Sequence, residues 1–125
     1  MSTDKTINVQ LEVTDELCRD LLTACYEGGS AYWLACDDVE RDDDSNVVKI
    51  AGCVDREDDS TKWGDATLET IRTGIRKILA NEAEVRSDIR GNVLNSVIDP
   101  ENGDWDAEVA DVVLQVGLLG EITYG

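Results

Sequence analysis

Groups able to do chemistry are narrow in kind in this chain, although carboxylates are plentiful. There is no histidine in the 125 residues, so the usual partner of a Ser or Cys nucleophile is missing. The four cysteines, Cys18, Cys25, Cys36 and Cys53, include no C-x-x-C pair. Without close Cys/His ligands a zinc site is not expected, and these thiols read as buried, reduced side chains. Carboxylates are everywhere, so no chosen pair of them stands out as an acid and a base. The acidic runs Asp42–Asp44 and Asp55–Asp59 lack the alternating ligands and glycine of a calcium loop and read as solvated turns. No G-x-S-x-G elbow, phosphate loop or dinucleotide fingerprint is present. The expectation is a protein that is not an enzyme and uses no cofactor or metal.

Two stretches are left as candidates for binding. The first is Glu27-Gly28-Gly29-Ser30-Tyr32-Trp33, read with Ala31 between. Its glycines are placed to end a helix with φ > 0, and its two adjacent aromatics enter what reads as a strand. Strand neighbours point to opposite sides. One aromatic is therefore expected in the core, with Trp33 the choice, and Tyr32 becomes an exposed anchor. The second is the basic cluster Arg72, Arg76 and Lys77, with Arg86 and Arg90 nearby, which could contact a phosphate. Side chains pairing with acids on a solvated helix face account for it more simply.

Both stretches need elements to carry them. Ile7, Val9, Leu11 and Val13 alternate with Asn8, Gln10 and Glu12, which predicts a half-buried strand over 6–13. Thr14 or Asp15 caps a helix bearing Leu17, Cys18, Leu21, Leu22, Ala24 and Cys25. A strand is expected over about 30–39, a polar turn over 41–46 and a returning strand over 47–54. After Trp63-Gly64, Asp65 or Thr67 caps a helix with Leu68, Ile71, Ile75, Ile78 and Leu79. Val85, Ile89, Val93 and Val97 give another helix, ending before Pro100. Asp104 or Asp106 caps a last helix with Val109, Val112, Val113, Val116 and Leu119, whose end Gly117 and Gly120 loosen. Ile122–Tyr124 then form a short strand or a docked tail. The fold class is α+β: a single domain over 1–125, with an antiparallel sheet of about three strands, a fourth at the C-terminus being an option. About four helices cover one face.

Charge sets the environment. Lysine and arginine total 11 against 28 acids, a net charge of −17. Direct nucleic-acid binding is not expected without a basic footprint. No apolar run is long enough to cross a bilayer, and the first residues lack the pattern of a signal peptide. The protein is expected in the cytoplasm. Carboxylates spread over every segment fit life at molar salt, where their repulsion is screened. The alternative is an acidic DNA mimic, which should gather its charge on one face.

Three islands resemble a family of small bacteriophage and prophage proteins. They are Glu27-Gly28-Gly29-Ser30-Ala31-Tyr32-Trp33, the Trp63–Gly74 segment around Thr67-Leu68-Glu69-x-Ile71, and the segment from Asp106 to Gly125. The last includes Asp111, Gln115 and the ending Gly120-Glu121-Ile122-Thr123-Tyr124-Gly125. This chain departs from the family in its aspartate content and in Leu119, where an aromatic is expected. The resemblance implies a viral or proviral origin, here in a halophilic host, and supplies no catalytic residues. The functional expectation is an accessory protein that binds a host or viral protein, with blunting of host defence as one form. A small-ligand binder or sponge for a nucleotide-type signal is the alternative. Association with a second copy of the chain stays open.

Overall fold

A computed structural model describes residues 7, 9–103 and 105–125. The first helix, α1 (Asp15–Ala24), starts at Thr14, whose Oγ1 accepts from the Leu17 N–H at 3.2 Å. Asp15 and Glu16 sit on the positive end of its dipole. One π-helical turn, Cys25–Gly29, closes the helix. Neither Gly28 nor Gly29 takes the left-handed conformation expected of them. Gly29 is needed for room instead: a Cβ there would lie 3.0 Å from the Ala107 carbonyl oxygen.

The sheet follows as β1 (Leu34–Ala35), β2 (Asp38–Arg41), β3 (Val47–Asp55) and β4 (Lys62–Thr67), all antiparallel. β3 is the centre. β1 and β2 pair with one of its edges in a single continuous register, Leu34 opposite Asp55 and Glu40 opposite Lys49, and are two halves of one interrupted strand. β4 takes the other edge. The predicted hairpin, with strands over about 30–39 and 47–54 and a turn over 41–46, is therefore present in shortened form, its first strand running Asp38–Arg41 and its turn 42–46.

The helical half agrees closely with the periodicity. α2 (Leu68–Leu79) begins at Thr67, whose backbone N–H donates to Thr70 Oγ1 at 3.0 Å. Ile71, Ile75 and Ile78 are buried on it. α3 (Ser87–Ile98) buries Ile89, Val93 and Val97. α4 (Ala107–Leu119) is capped by Asp106, whose Oδ1 accepts from the Val109 N–H at 3.0 Å. The other candidate cap, Asp104, lies outside the described residues. α4 is the central helix: every residue from Val109 to Val116 is buried. It crosses α2 where Gly74 meets Gly117, since a Cβ on Gly74 would overlap the Val113 carbonyl and one on Gly117 that of Thr70. So Gly117 permits close packing rather than loosening the helix, and Gly120 ends it in the left-handed region at φ 87°.

The core joins Val47, Ile50, Cys53 and Ala66 of the sheet to the apolar stripes of all four helices. The fold is thus α+β, with about four helices packed on a small antiparallel sheet. Three further expectations depart from the structure in detail. The described part of 6–13 is not a strand: residues 7 and 9–13 form no ladder, and Ile7 is 80% and Val9 65% exposed. Residues 6 and 8 lie outside the described set. Ser30–Trp33 is a turn, and strand structure begins only at Leu34. The fourth strand is Lys62–Thr67, so the C-terminal strand option fails and the docked-tail option holds, Glu121–Gly125 lying against the fold without strand structure.

Candidate functional site

Two polar residues one turn apart, Asp111 and Gln115, interrupt the apolar sequence of α4 and share a face of it. Both are buried, Asp111 at 5% exposure and Gln115 fully. Burying a carboxylate is costly unless its lone pairs are satisfied. Among the described residues no Lys or Arg forms an ion pair with Asp111. It accepts instead from four neutral donors: Ser30 Oγ at 2.7 Å and Trp33 Nε1 at 2.7 Å on one oxygen, Tyr32 Oη at 2.6 Å and Gln115 Nε2 at 3.1 Å on the other. An ionised carboxylate offers about four acceptor positions, and these donors occupy them.

The turn Ser30–Trp33 is shaped for this role. Within it Leu34 and Trp33 donate their N–H groups to the Ser30 carbonyl at 3.0 and 3.2 Å, which folds three side chains toward α4. Arg56 fastens the turn from outside, its backbone N–H on the Trp33 carbonyl at 2.8 Å and its Nη1 on the Ala31 carbonyl at 2.5 Å. Trp33 is buried at 2% exposure and Tyr32 is 53% exposed. That is the expected division of the two aromatics, reached for a different reason. They do not leave a strand on opposite sides. They meet the same carboxylate from inside and from the rim.

Gln115 extends the network to the end of the chain. Its Oε1 accepts from the Thr123 and Tyr124 N–H groups at 2.8 and 2.9 Å, and its Nε2 donates to the Tyr124 carbonyl at 3.1 Å. One side-chain amide thereby replaces a strand partner for the tail. The Tyr124 ring lies flat on Trp33, with centroids 5.1 Å apart and planes at 5°. Trp63 closes the group edge-on to both rings. The Tyr124 hydroxyl donates to Asp55. That bond, first among its causes, holds the Asp55 carboxyl below the usual range, and likewise raises the Tyr124 phenol. Burial of its hydroxyl, then the bond to Asp111, pushes the Tyr32 phenol up to about 12, so Tyr32 is a proton donor to Asp111 across the ordinary pH range.

The Tyr32 ring separates two shallow recesses. One, of about 240 Å³, is lined by Tyr32, Arg86, Ile89, Glu108, Gln115 and Ile122 among others. The other, of about 200 Å³, lies between Tyr32, Trp33, Asp55, Glu57 and Tyr124. Arg86 stands at the first, held by Glu108 at 2.8 Å and Asp88 at 3.1 Å. With its acceptor positions filled, Asp111 works as a fastener that holds Tyr32 and Trp33 in place.

The other predicted site residues fall elsewhere. Glu27 is exposed and faces Arg41 at 3.9 Å. Nothing would crowd a side chain at Gly28. Arg72 is taken up by the Val13 carbonyl at 2.9 Å, by Asp15 at 2.7 Å and by Glu69. Arg76 and Lys77 occupy the last turn of α2, where they complement its dipole. Arg90 reaches the Ile78 carbonyl and Asn81. The basic residues thus serve separate contacts and do not converge on one point. Cys18, Cys25 and Cys53 are free and buried, and Cys36 is free and half-buried. Among the described residues no group of three or more His, Cys, Asp or Glu is placed to hold a metal ion, and no helix is long and apolar enough to cross a membrane.

Asp111, Gln115, Asp55, Trp63 and Tyr124 were not singled out as site residues from the sequence. The available signal was the polar pair at i, i+4 within the apolar stripe of α4. No protein-family model, curated protein or solved structure matches the chain.

Proposed function

We propose that this is a virus- or provirus-encoded accessory protein, non-enzymatic and adapted to high salt, that acts by binding a host or viral protein. The observation that carries the reading is Tyr32. Its ring is half exposed between two recesses while its hydroxyl is fastened to buried Asp111. An ordinary surface side chain loses about 0.5–1.5 kcal/mol of freedom on immobilisation in an interface. Tyr32 has already been immobilised by folding. Tyrosines so held are favoured as central anchors of interfaces, and Ile122, 40% exposed on the rim of the larger recess, supplies apolar surface beside it. The viral part of the reading rests on the motif islands: the Glu27–Trp33 stretch, the α4 stretch and the ending all contribute to one network. Blunting of host defence would be one use of such binding. Engagement of Arg72 by acids and a carbonyl weighs against the nucleotide-sponge alternative.

The test compares wild type with Tyr32→Ala and, as a surface control, Ile98→Ser in affinity capture from host extract at molar salt. The expected result is a specific protein retained by wild type and Ile98→Ser and lost at least tenfold with Tyr32→Ala. Equal capture by all three, or none by any, would remove the reading. Tight stabilisation by a nucleotide in a thermal-shift panel would favour the ligand alternative. For the salt adaptation, the melting temperature should climb from about 0.1 M to molar salt as screening sets in. A flat response together with competition against DNA for a basic protein would favour the mimic.

A further inference from the structure

Residues 7–13 carry an apolar face that fades out of the core. Val13 is half-buried and packs on the core, Leu11 is 39% exposed, Val9 65% and Ile7 80%. These four lie on one side of any extended segment. Among the described residues of the segment no backbone group joins a strand ladder, the Val13 carbonyl being taken by Arg72, and a strand-patterned segment of this kind is a template for another strand. From Thr6 to Leu11 it also contains no charge, in a chain of net charge −17.

The sequence of this segment is complementary to itself when reversed. In an antiparallel pair centred on Gln10, Ile7 faces Val13, Val9 faces Leu11, and Gln10 faces Gln10. Apolar residues then meet apolar residues on one side. The only charge, Glu12, meets Asn8 and never its own copy, which matters because like charges directly opposite are destabilising. We propose that residues 7–13 pair antiparallel with the same residues of a second copy of this chain, about a two-fold axis through Gln10. Such an isologous contact closes at two copies, and its apolar side continues into each core through Val13. The net charge still opposes association at low salt, and screening to a Debye length of about 3 Å at 1 M relieves it. The dimer is therefore a high-salt species.

The experiment uses the full chain with Cys36→Ser, which removes the most accessible thiol, and adds either Gln10→Cys or Glu12→Cys. Both positions are exposed. In the proposed register the two copies of residue 10 are adjacent, within disulfide reach. The two copies of residue 12 are offset by four residues, roughly 13 Å. Under mild oxidation at molar salt, Gln10→Cys should give a covalent dimer at least on the order of tenfold faster than Glu12→Cys. Sedimentation of the wild-type chain should show a monomer–dimer equilibrium that strengthens with salt, and Val9→Asp should abolish it with an unchanged circular dichroism spectrum. Equal crosslinking at both positions would place the dimer contact elsewhere and overturn the register. A monomer at every concentration and salt would overturn the pairing altogether. If that monomer protected its Val9 and Leu11 amides from hydrogen exchange, the segment would be pairing within its own chain.

Discussion

The segment 7–13 and the turn Ser30–Trp33 are opposite cases of how pattern relates to burial. The first has a clean two-residue apolar alternation and stays largely in solvent. The second has no periodicity, contains a serine and two hydrogen-bonding aromatics, and buries Ser30 and Trp33 against a carboxylate. Periodicity describes which face a segment could bury. Whether it buries that face depends on a partner being in reach. Conversely, a polar cluster enters the interior when every donor finds an acceptor. Among the described residues no buried side-chain nitrogen or oxygen lacks a hydrogen-bond partner. The difference shows that burial follows available partners: the Asp111 carboxylate holds a polar turn inside, while the apolar alternation of residues 7 and 9–11 meets none and stays exposed.

The largest test of that contrast is Asp111→Ala. It orphans two buried donors, Ser30 Oγ and Trp33 Nε1, and frees Tyr32 and Gln115. At about 1–3 kcal/mol per orphaned buried donor, a loss of about 2–6 kcal/mol is expected in urea unfolding. A loss under 1 kcal/mol would mean that the network is incidental. Next, Trp33→Ala should cost about 3–5 kcal/mol, as for other large core side chains, whereas Tyr32→Ala should cost far less. If both lose several kcal/mol as dilute monomers, Tyr32 belongs to the core and the proposed binding anchor does not exist.

The buried thiols extend the comparison to pH. Burial pushes Cys25 up to about 12, and Cys18 and Cys53 up to about 11. An unfolded thiol ionises near 9. Between pH 9 and about 12 the unfolded chain has therefore released protons that the folded chain keeps, and stability must fall as pH rises through that window. Below pH 9 these groups contribute no slope. Melting temperatures from pH 8 to 11 should show the decline, with alkylation of the three thiols slow in native protein at pH 8 and complete after unfolding. Fast native labelling of Cys25 would contradict its burial.

Tyr124→Phe comes lower on the scale. It removes the hydrogen bond to half-buried Asp55 and keeps the stack on Trp33, so a loss smaller than that of Trp33→Ala is expected. The Asp55 carboxyl should return toward its ordinary value. A lowered folded-state pKa contributes stability above the unfolded value and loses it as pH falls through the folded one. The variant should thus equal wild type at low pH and differ from it near neutrality. A constant difference at all pH values would assign the effect to packing alone.

The helical half was legible because α1, α2 and α4 each announce themselves twice, by a stripe and by a cap, and α3 by its stripe alone. Of the paired cap candidates, Thr14 rather than Asp15, Thr67 rather than Asp65, and Asp106 start the helices. The sheet was half legible. The hairpin around 42–46 follows from its polar turn, but β4 was hidden because Lys62-Trp63-Gly64-Asp65 does not alternate and reads as a lead-in to α2. The network was visible only as fragments. Ser30, Tyr32 and Trp33 were marked by type, but they lie about 80 residues before Asp111, and nothing local says that a carboxylate on α4 will collect them. Asp111 and Gln115 stand in the third motif island, but nothing in their spacing assigns them the role of gathering that turn and the tail.

The smallest expected effect bears on the other side of the comparison. Val9 and Leu11 are exposed, so replacing either with serine removes little that folding has buried. Surface changes of this kind usually stay within about 0.5 kcal/mol. In dilute solution at low salt, Val9→Ser and Leu11→Ser should therefore unfold at the same urea concentration as wild type. At molar salt and high protein concentration the result should differ. Wild type gains stability with concentration because dimer formation draws on the folded state, and the variants should lose that dependence. Two measurements on the same proteins thus separate intrinsic folding from association. If either variant costs more than about 2 kcal/mol as a dilute monomer, the cost has the size of a core truncation. The segment would then be packed in its own chain, and the opposition between an unspent pattern at the start and a patternless turn at the centre would disappear.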